Sequence, residues 1–236
     1  SKSKSVAAVK NDNAGETVPE DLAKENIRYA RDLYNIAGWG QEYFDINEKG
    51  HVTACPLHSG GAAIDLMDIV KEARERNLKF PILVRFQDIL RHRVEALNHA
   101  FAGAIADCEY PKKYQGVFPV KVNQLREVIE EILEAGEKFD YGLEVGSKPE
   151  LMVALAMQDS PTRLLICNGH KDTFYIRMAL MGQKLGKKII LVVEKFEELK
   201  QILLVSKRLG VEPMLGIRLR LSSKGTGKWA ESGGDQ

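Results

Sequence analysis

Five short apolar runs, at residues 117–120, 141–143, 164–167, 189–193 and 214–217, start 24, 23, 25 and 25 residues apart. Helical patterns fill the gaps, with apolar residues three and four apart, as in Val128, Ile129, Ile132 and Leu133, or Leu199, Ile202, Leu203 and Leu209. Uniformly apolar strands alternating with helices predict parallel strands with covered faces, hence the α/β class. A repeat of this length suits a (β/α)8 TIM-like barrel, in which eight units need about 200 residues or more. A doubly wound sheet is the structural competitor, because five strands alone could form one. Only five such strands fit before residue 236, or six if residues 82–85 are counted. A barrel could not close on them, so the expectation is a partial barrel of about five to six βα units, the amino-terminal part of a longer protein.

The stretch before this rhythm is different. Residues 1–20 are polar and nearly free of large apolar side chains, predicting a disordered lead with no secretory h-region. Thr17 and Glu20 suggest a capping box, and Ala23, Ile27, Ala30 and Tyr34 form one apolar stripe of a first helix. Two extended runs around Asn47-Glu-Lys-Gly50 give a hairpin signal. A flexible spacer at 58–61, a helix at about 64–76, a short strand at 82–85 and a long helix at about 87–107 follow. The domain boundaries expected are therefore 1–20, 21–80 and 81–236.

Composition removes several function classes. With 34 basic against 33 acidic residues the chain has no net field to gather polyanions, which argues against a general nucleic-acid binder. No apolar run approaches 18 residues, so no membrane span is expected. Cys55, Cys108 and Cys167 lie far apart without a CxxC pair, which fits a reducing cytoplasm rather than a disulfide framework or zinc site.

In parallel α/β folds reactive groups collect at the carboxyl ends of the strands. The residues that end the five runs are Lys121, Glu144, Asn168, Glu194 and Arg218. Five polar residues at matching positions suggest one shared rim. Lys121 is the sharpest, because it stands inside the apolar stretch Phe118-Pro-Val-Lys-Val-Asn123, where its charge is costly. Burial lowers a lysine's pKa and frees a neutral amine for Schiff-base chemistry. A lysine snorkelling to solvent at a strand end is the ordinary alternative, and spacing does not separate the two.

Long segments of the chain resemble biosynthetic arginine decarboxylases, which belong to the alanine-racemase-like, fold-type III group of pyridoxal-phosphate enzymes. They are Tyr34-Asn-Ile-Ala-Gly-Trp-Gly40, Gly116-Val-Phe-Pro-Val-Lys-Val-Asn-Gln124, Gly142-Leu-Glu-Val-Gly-Ser-Lys-Pro-Glu-Leu151, Leu165-Ile-Cys-Asn-Gly-His-Lys-Asp172, Gly216-Ile-Arg-Leu-Arg-Leu221 and Trp229-Ala-Glu-Ser-Gly-Gly-Asp235. The resemblance implies a barrel joined to a β-domain, with the extended amino-terminal segment packing on that domain. It implies that Lys121 binds the aldehyde of pyridoxal 5'-phosphate covalently, and that Glu144 and Arg218 lie near the cofactor. Asn168 matches a strand-end Asn of the relatives, with a turn role equally open. Asn123 would turn the chain into the next helix, and Glu194 has no assigned role. Decarboxylation of L-arginine to agmatine, the first step of polyamine synthesis, magnesium dependence and a homo-oligomer are further implications. Ornithine or diaminopimelate as substrate, and a non-catalytic cofactor-binding or regulatory chain, stay open. Phosphate-binding glycine loops, the acidic partner of the ring nitrogen and residues from another subunit would lie beyond position 236.

Other signals are weaker. Lys224-Gly-Thr-Gly-Lys228 fails as a phosphate loop because Ser222 and Trp229 occupy positions that need Gly and Ser or Thr. With the glycines that follow, it predicts a mobile loop over the barrel mouth. His92 and His99 share a helix face without a third ligand and read as surface residues. His170 reads as a turn residue, and the lysines of 184–188 as a solvated helix end.

Overall fold

The computed structural model describes residues 8–10, 17–58 and 61–219. They fall into two compact units, Ser1–His92 and Arg93–Gln236. The division lies inside one long helix, later than the boundary near residue 81 that composition suggests. The glycine-rich segment 224–235 and its proposed loop lie outside the described residues, as do most of residues 1–16 and the centre of the 58–61 spacer.

In the first unit, β1 (Ala8–Lys10) and β2 (Thr17–Pro19) pair antiparallel, with Val9 opposite Val18. Strands therefore stand where a disordered lead is expected, consistent with β-branched residues placed across a short connection. Thr17 belongs to β2 rather than capping a helix, and α1 (Glu20–Leu33) begins directly after it. A short α2 (Ile36–Gly40) precedes the expected hairpin of β3 (Phe44–Ile46) and β4 (Val52–Ala54). The hairpin gains a third strand, β5 (Ile64–Asp65), before α3 (Leu66–Glu75). Asn47 organises the turn: its side-chain oxygen accepts from the Lys49 and His51 amides, each at 3.0 Å. Residues 82–85 form no strand, and Leu83 is 78% exposed. Their apolar content marks them as extended, but a strand needs a neighbour to bond and they have none among the described residues.

His92, near the start of α4 (Gln87–Asp107), is no surface residue. Its Nδ1 lies 2.6 Å from the hydroxyl of buried Tyr43, and its ring lies 4.5 Å from that of His58. His99 is exposed and meets Phe139 edge-on.

The second unit holds the periodic part. Strands β6 (Val117–Pro119), β7 (Gly142–Val145), β8 (Leu164–Cys167), β9 (Lys188–Val193) and β10 (Met214–Ile217) are all parallel. They lie in strict chain order, β10-β9-β8-β7-β6. The intervening helices are α5 (Arg126–Ala135), α6 (Lys148–Met157), α7 (Thr173–Lys184) and α8 (Phe196–Leu209). One core contains residues of all four helices, among them Ile129, Leu151, Ile176 and Ile202. From the strands it takes Leu143, Val145, Leu165, Cys167, Ile189 and Leu191, which share one face through the register. The alternate residues Glu144, Ile166 and Ile190 lie on the other face and are only half-buried. A doubly wound sheet reverses its strand order and carries helices on both faces. An unreversed order with helices on one face is an arc of a β/α barrel.

Two glycines show how closely this arc is packed. A Cβ on Gly142 would lie 1.9 Å from the Leu164 carbonyl oxygen on the neighbouring strand. Gly169 has φ +92° and backs onto the Gly146 carbonyl, where a Cβ would approach to 2.8 Å.

Candidate active site

Because all five strands run the same way, the segments leaving β6 to β10 emerge along one edge of the sheet. Lys121 lies in a 3-10 turn, Val120–Val122, that packs against β7 directly after Pro119. The turn carries Val120 into the core, 1% exposed, and leaves Lys121 exposed. The burial expected from its apolar neighbours thus falls on the preceding valine, because the strand ends one residue before it and the chain rotates. Among the described residues the Lys121 amine has no hydrogen-bond or ion-pair partner. Asn123 does turn the chain: its Oδ1 accepts the Leu125 amide at 3.1 Å.

Glu144 lies within β7, not beyond it, since that strand runs to Val145, two residues past the expected end at Leu143. It is half-buried on the face opposite the helices, paired in register with Pro119 and Ile166.

Glu194 and Arg218 are joined directly, and Asn168 is linked to them through the Gly169 amide. The Asn168 amide donates to the Val145 carbonyl at 2.9 Å, and the Arg218 amide to the Val193 carbonyl at 3.1 Å, continuing the ladder past the strand ends. The Gly169 amide donates to Asn168 Oδ1 at 3.1 Å and to Glu194 Oε1 at 3.3 Å. The same Glu194 oxygen accepts from Arg218 Nη1 at 2.7 Å. Burial pushes the Glu194 carboxyl up, but the Arg218 hydrogen bond and charge, the Gly169 amide and the Lys171 charge outweigh it. Glu194 is held below its ordinary range. Lys121 and Glu144 make no direct bond to this group among the described residues.

Beneath the rim lies a pair that the sequence did not single out. The Lys171 side chain is 0% exposed and that of Glu198 is 7% exposed, with Nζ and Oε2 3.6 Å apart. Lys171 Nζ also donates to the Gly169 carbonyl, and Glu198 Oε2 accepts the Glu194 amide at 3.0 Å. One signal for Glu198 was available. Glu150 has the same placement, four residues after Gly146, whose amide its Oε2 accepts at 2.7 Å. Both carboxylates close the first turn of a helix back onto the strand exit, as in a capping box. Lys171 gave no such signal, for it sits between His170 and Asp172 in a polar segment. His170 itself is exposed, as expected of a turn residue. Tyr175, also buried, donates its hydroxyl to the Val145 carbonyl at 3.1 Å, while Asp172 Oδ1 caps α7 by accepting the Tyr175 amide at 2.8 Å.

A one-sided arc of parallel βα units, with an exposed amine at its carboxyl edge, is part of a β/α barrel, the architecture in which reactive groups collect at that edge. Residues 90–236 match the family described as pyridoxal-dependent decarboxylase, pyridoxal binding domain, and the chain belongs to that family. It is 47% identical to the biosynthetic arginine decarboxylase of Gloeobacter violaceus over 89% of this chain and 33% of that protein. It is 48% identical to that of Nostoc sp., over 92% of this chain and 32% of the relative. Among solved structures, the biosynthetic arginine decarboxylase of Campylobacter jejuni superposes with a TM-score of 0.72 at 31% identity, covering 80% of this chain and 31% of that one. Diaminopimelate decarboxylase from M. jannaschi shares the fold, with a TM-score of 0.58 at 18% identity over 78% of this chain and 37% of that one. The chain spans about a third of the length of the curated relatives it matches.

Proposed function

We propose that this chain is the cofactor-binding part of an arginine decarboxylase that converts L-arginine to agmatine and carbon dioxide for polyamine synthesis. The observation that carries the reading is the 48% identity to a biosynthetic arginine decarboxylase across 92% of the chain. It joins a lysine set at the carboxyl edge of the barrel arc. Pyridoxal phosphate, when bound, supplies the sink for the electron pair left by the departing carboxylate. The residues present suit such a group: Lys121 offers a primary amine for the aldehyde, and Arg218 and Asn168 offer donors for an anion. Lys121 Nζ would hold the cofactor by its aldehyde and would carry the proton delivered to the reacting carbon. Glu144, half-buried on the open face, would orient the cofactor from the neighbouring strand. Arg218 keeps further N–H donors beyond the one given to Glu194, and Asn168 fixes the adjoining turn.

The same reading includes a homo-oligomer acting in the cytoplasm, and magnesium as an accessory ion. No helix among the described residues is long and apolar enough to cross a membrane. Nor does any group of three or more His, Cys, Asp or Glu side chains among them suit a metal ion, so no step is assigned to magnesium.

The test uses the full-length protein. Incubation with pyridoxal phosphate, borohydride reduction and peptide mapping should place the label on Lys121, and Lys121→Ala should abolish it. Carbon dioxide release should be fastest from arginine when arginine, ornithine and diaminopimelate are compared. A label elsewhere, or preference for another substrate, would overturn the corresponding part of the reading.

A further inference from the structure

We infer that Lys171 and Glu198 are positioning residues for the cofactor site: their buried ion pair ties the β8–α7 loop to the first turn of α8 and, through the Glu194 amide, to the exit of β9, and so sets where Asn168 and Arg218 stand. This inference rests on the proposed pyridoxal-phosphate site and adds two residues that do not touch it.

The bonds form a closed ring. Lys171 Nζ donates to the Gly169 carbonyl, the Gly169 amide donates to Glu194 Oε1, the Glu194 amide donates to Glu198 Oε2, and Glu198 faces Lys171 at 3.6 Å. Two rim residues hang from this ring. Asn168 is attached through its Oδ1 to the Gly169 amide, and Arg218 through Nη1 to Glu194 Oε1. Three strand exits, after β8, β9 and β10, are therefore spaced by one pair of charges.

A stabilising role alone explains the pair poorly. Taking both charges out of water costs about as much as their attraction returns, and well-packed neutral replacements often leave stability unchanged. Losing one partner alone is expensive, since the other charge is left buried. What neutral side chains could not reproduce is the ring: an ammonium on a carbonyl of one loop and a carboxylate on an amide of the next. A site held by such supports loses geometry before it loses its fold.

The double variant Lys171→Met with Glu198→Gln, in the full-length protein, separates the two roles. The expected result is a melting temperature close to the parent's, with pyridoxal phosphate bound about 10- to 100-fold more weakly, the equivalent of about one charge-assisted contact made by a displaced Asn168 or Arg218. Lys121 should still be labelled at saturating cofactor. A folded double variant that binds pyridoxal phosphate as tightly as the parent would overturn the inference. Absence of a Lys121 label in the parent would instead overturn the site reading on which it rests. A measurement on the unmutated protein guards against a variant that fails to fold. Because coupling is reciprocal, pyridoxal phosphate should slow amide hydrogen exchange in peptides covering Gly169 and Glu194, by about tenfold. Equal exchange with and without the cofactor would also overturn it.

Discussion

The same substitution, glycine to alanine, should have opposite effects at two positions of the second unit. At Gly142 an added methyl would stand 1.9 Å from the Leu164 carbonyl oxygen and 2.9 Å from its carbon, both backbone atoms of β8. An ordinary carbon–oxygen contact is about 3.3 Å, so the strands would have to separate by about 1.4 Å. Gly142 is also bonded on its other side, its amide donating to the Gly116 carbonyl at 2.9 Å, so moving β7 away from β8 drives it into β6. Overpacking costs about 1–3 kcal/mol, and each ladder bond stretched adds about 1 kcal/mol. Gly142→Ala should therefore cost about 3 kcal/mol or more, lowering the melting temperature by about 6–12 °C for a domain of this size. Gly103 is exposed in the interior of α4 with no atom within 4 Å of an added Cβ. There alanine should stabilise the helix by about 1 kcal/mol, raising the melting temperature by about 2–4 °C. Thermal melts followed by circular dichroism read both. A Gly142→Ala melt within about 2 °C of the parent would refute the inferred strand contact.

Gly169→Ala combines a positive φ with the Gly146 carbonyl at 2.8 Å and should cost about 1–3 kcal/mol, seen as a lower denaturant midpoint. Glu194 has a depressed pKa in the folded protein, so its contribution to stability is present above the ordinary carboxylate value and is lost as pH falls through the folded one. In acid titrations the parent should lose stability more steeply than Glu194→Gln in that window; parallel curves would contradict the Arg218 pairing. Burial pushes the Cys167 thiol up to about 11, against the pull of the Tyr175 hydroxyl and the Lys171 charge. Iodoacetamide at neutral pH should accordingly modify exposed Cys108 first and reach Cys167 only on unfolding, as mass mapping over time would show.

Local pattern carried much of this structure. The runs at 164–167 and 214–217 are strands with the expected limits, and the family resemblance drawn from six motifs agrees with the family to which residues 90–236 belong. Apolar content failed where a partner was needed: residues 82–85 resemble a strand in composition but have no neighbour to bond among the described residues. The lysines of 184–188 were legible only in part, since Lys184 is the exposed last residue of α7, as a solvated helix end requires, while the next two lysines are engaged elsewhere. Lys184 donates to the Leu209 carbonyl at 3.4 Å, Lys187 to that of Gln158, and Lys188 opens β9. Their number suggests a solvated helix end, but orphan carbonyls at the foot of the sheet recruit them.

Periodicity and turn chemistry are properties of neighbours in the chain, so the amino-acid order alone determined the α/β repeat and the approximate places of its five parallel strands. Which face of the sheet received the helices was decided only by the tertiary structure, because a buried strand reads the same from either side. The exposure of Lys121 and the concealment of Lys171 were decided there too. A lysine's cost depends on whether a carboxylate and a carbonyl meet it in space, and Glu198 lies 27 residues away in the chain.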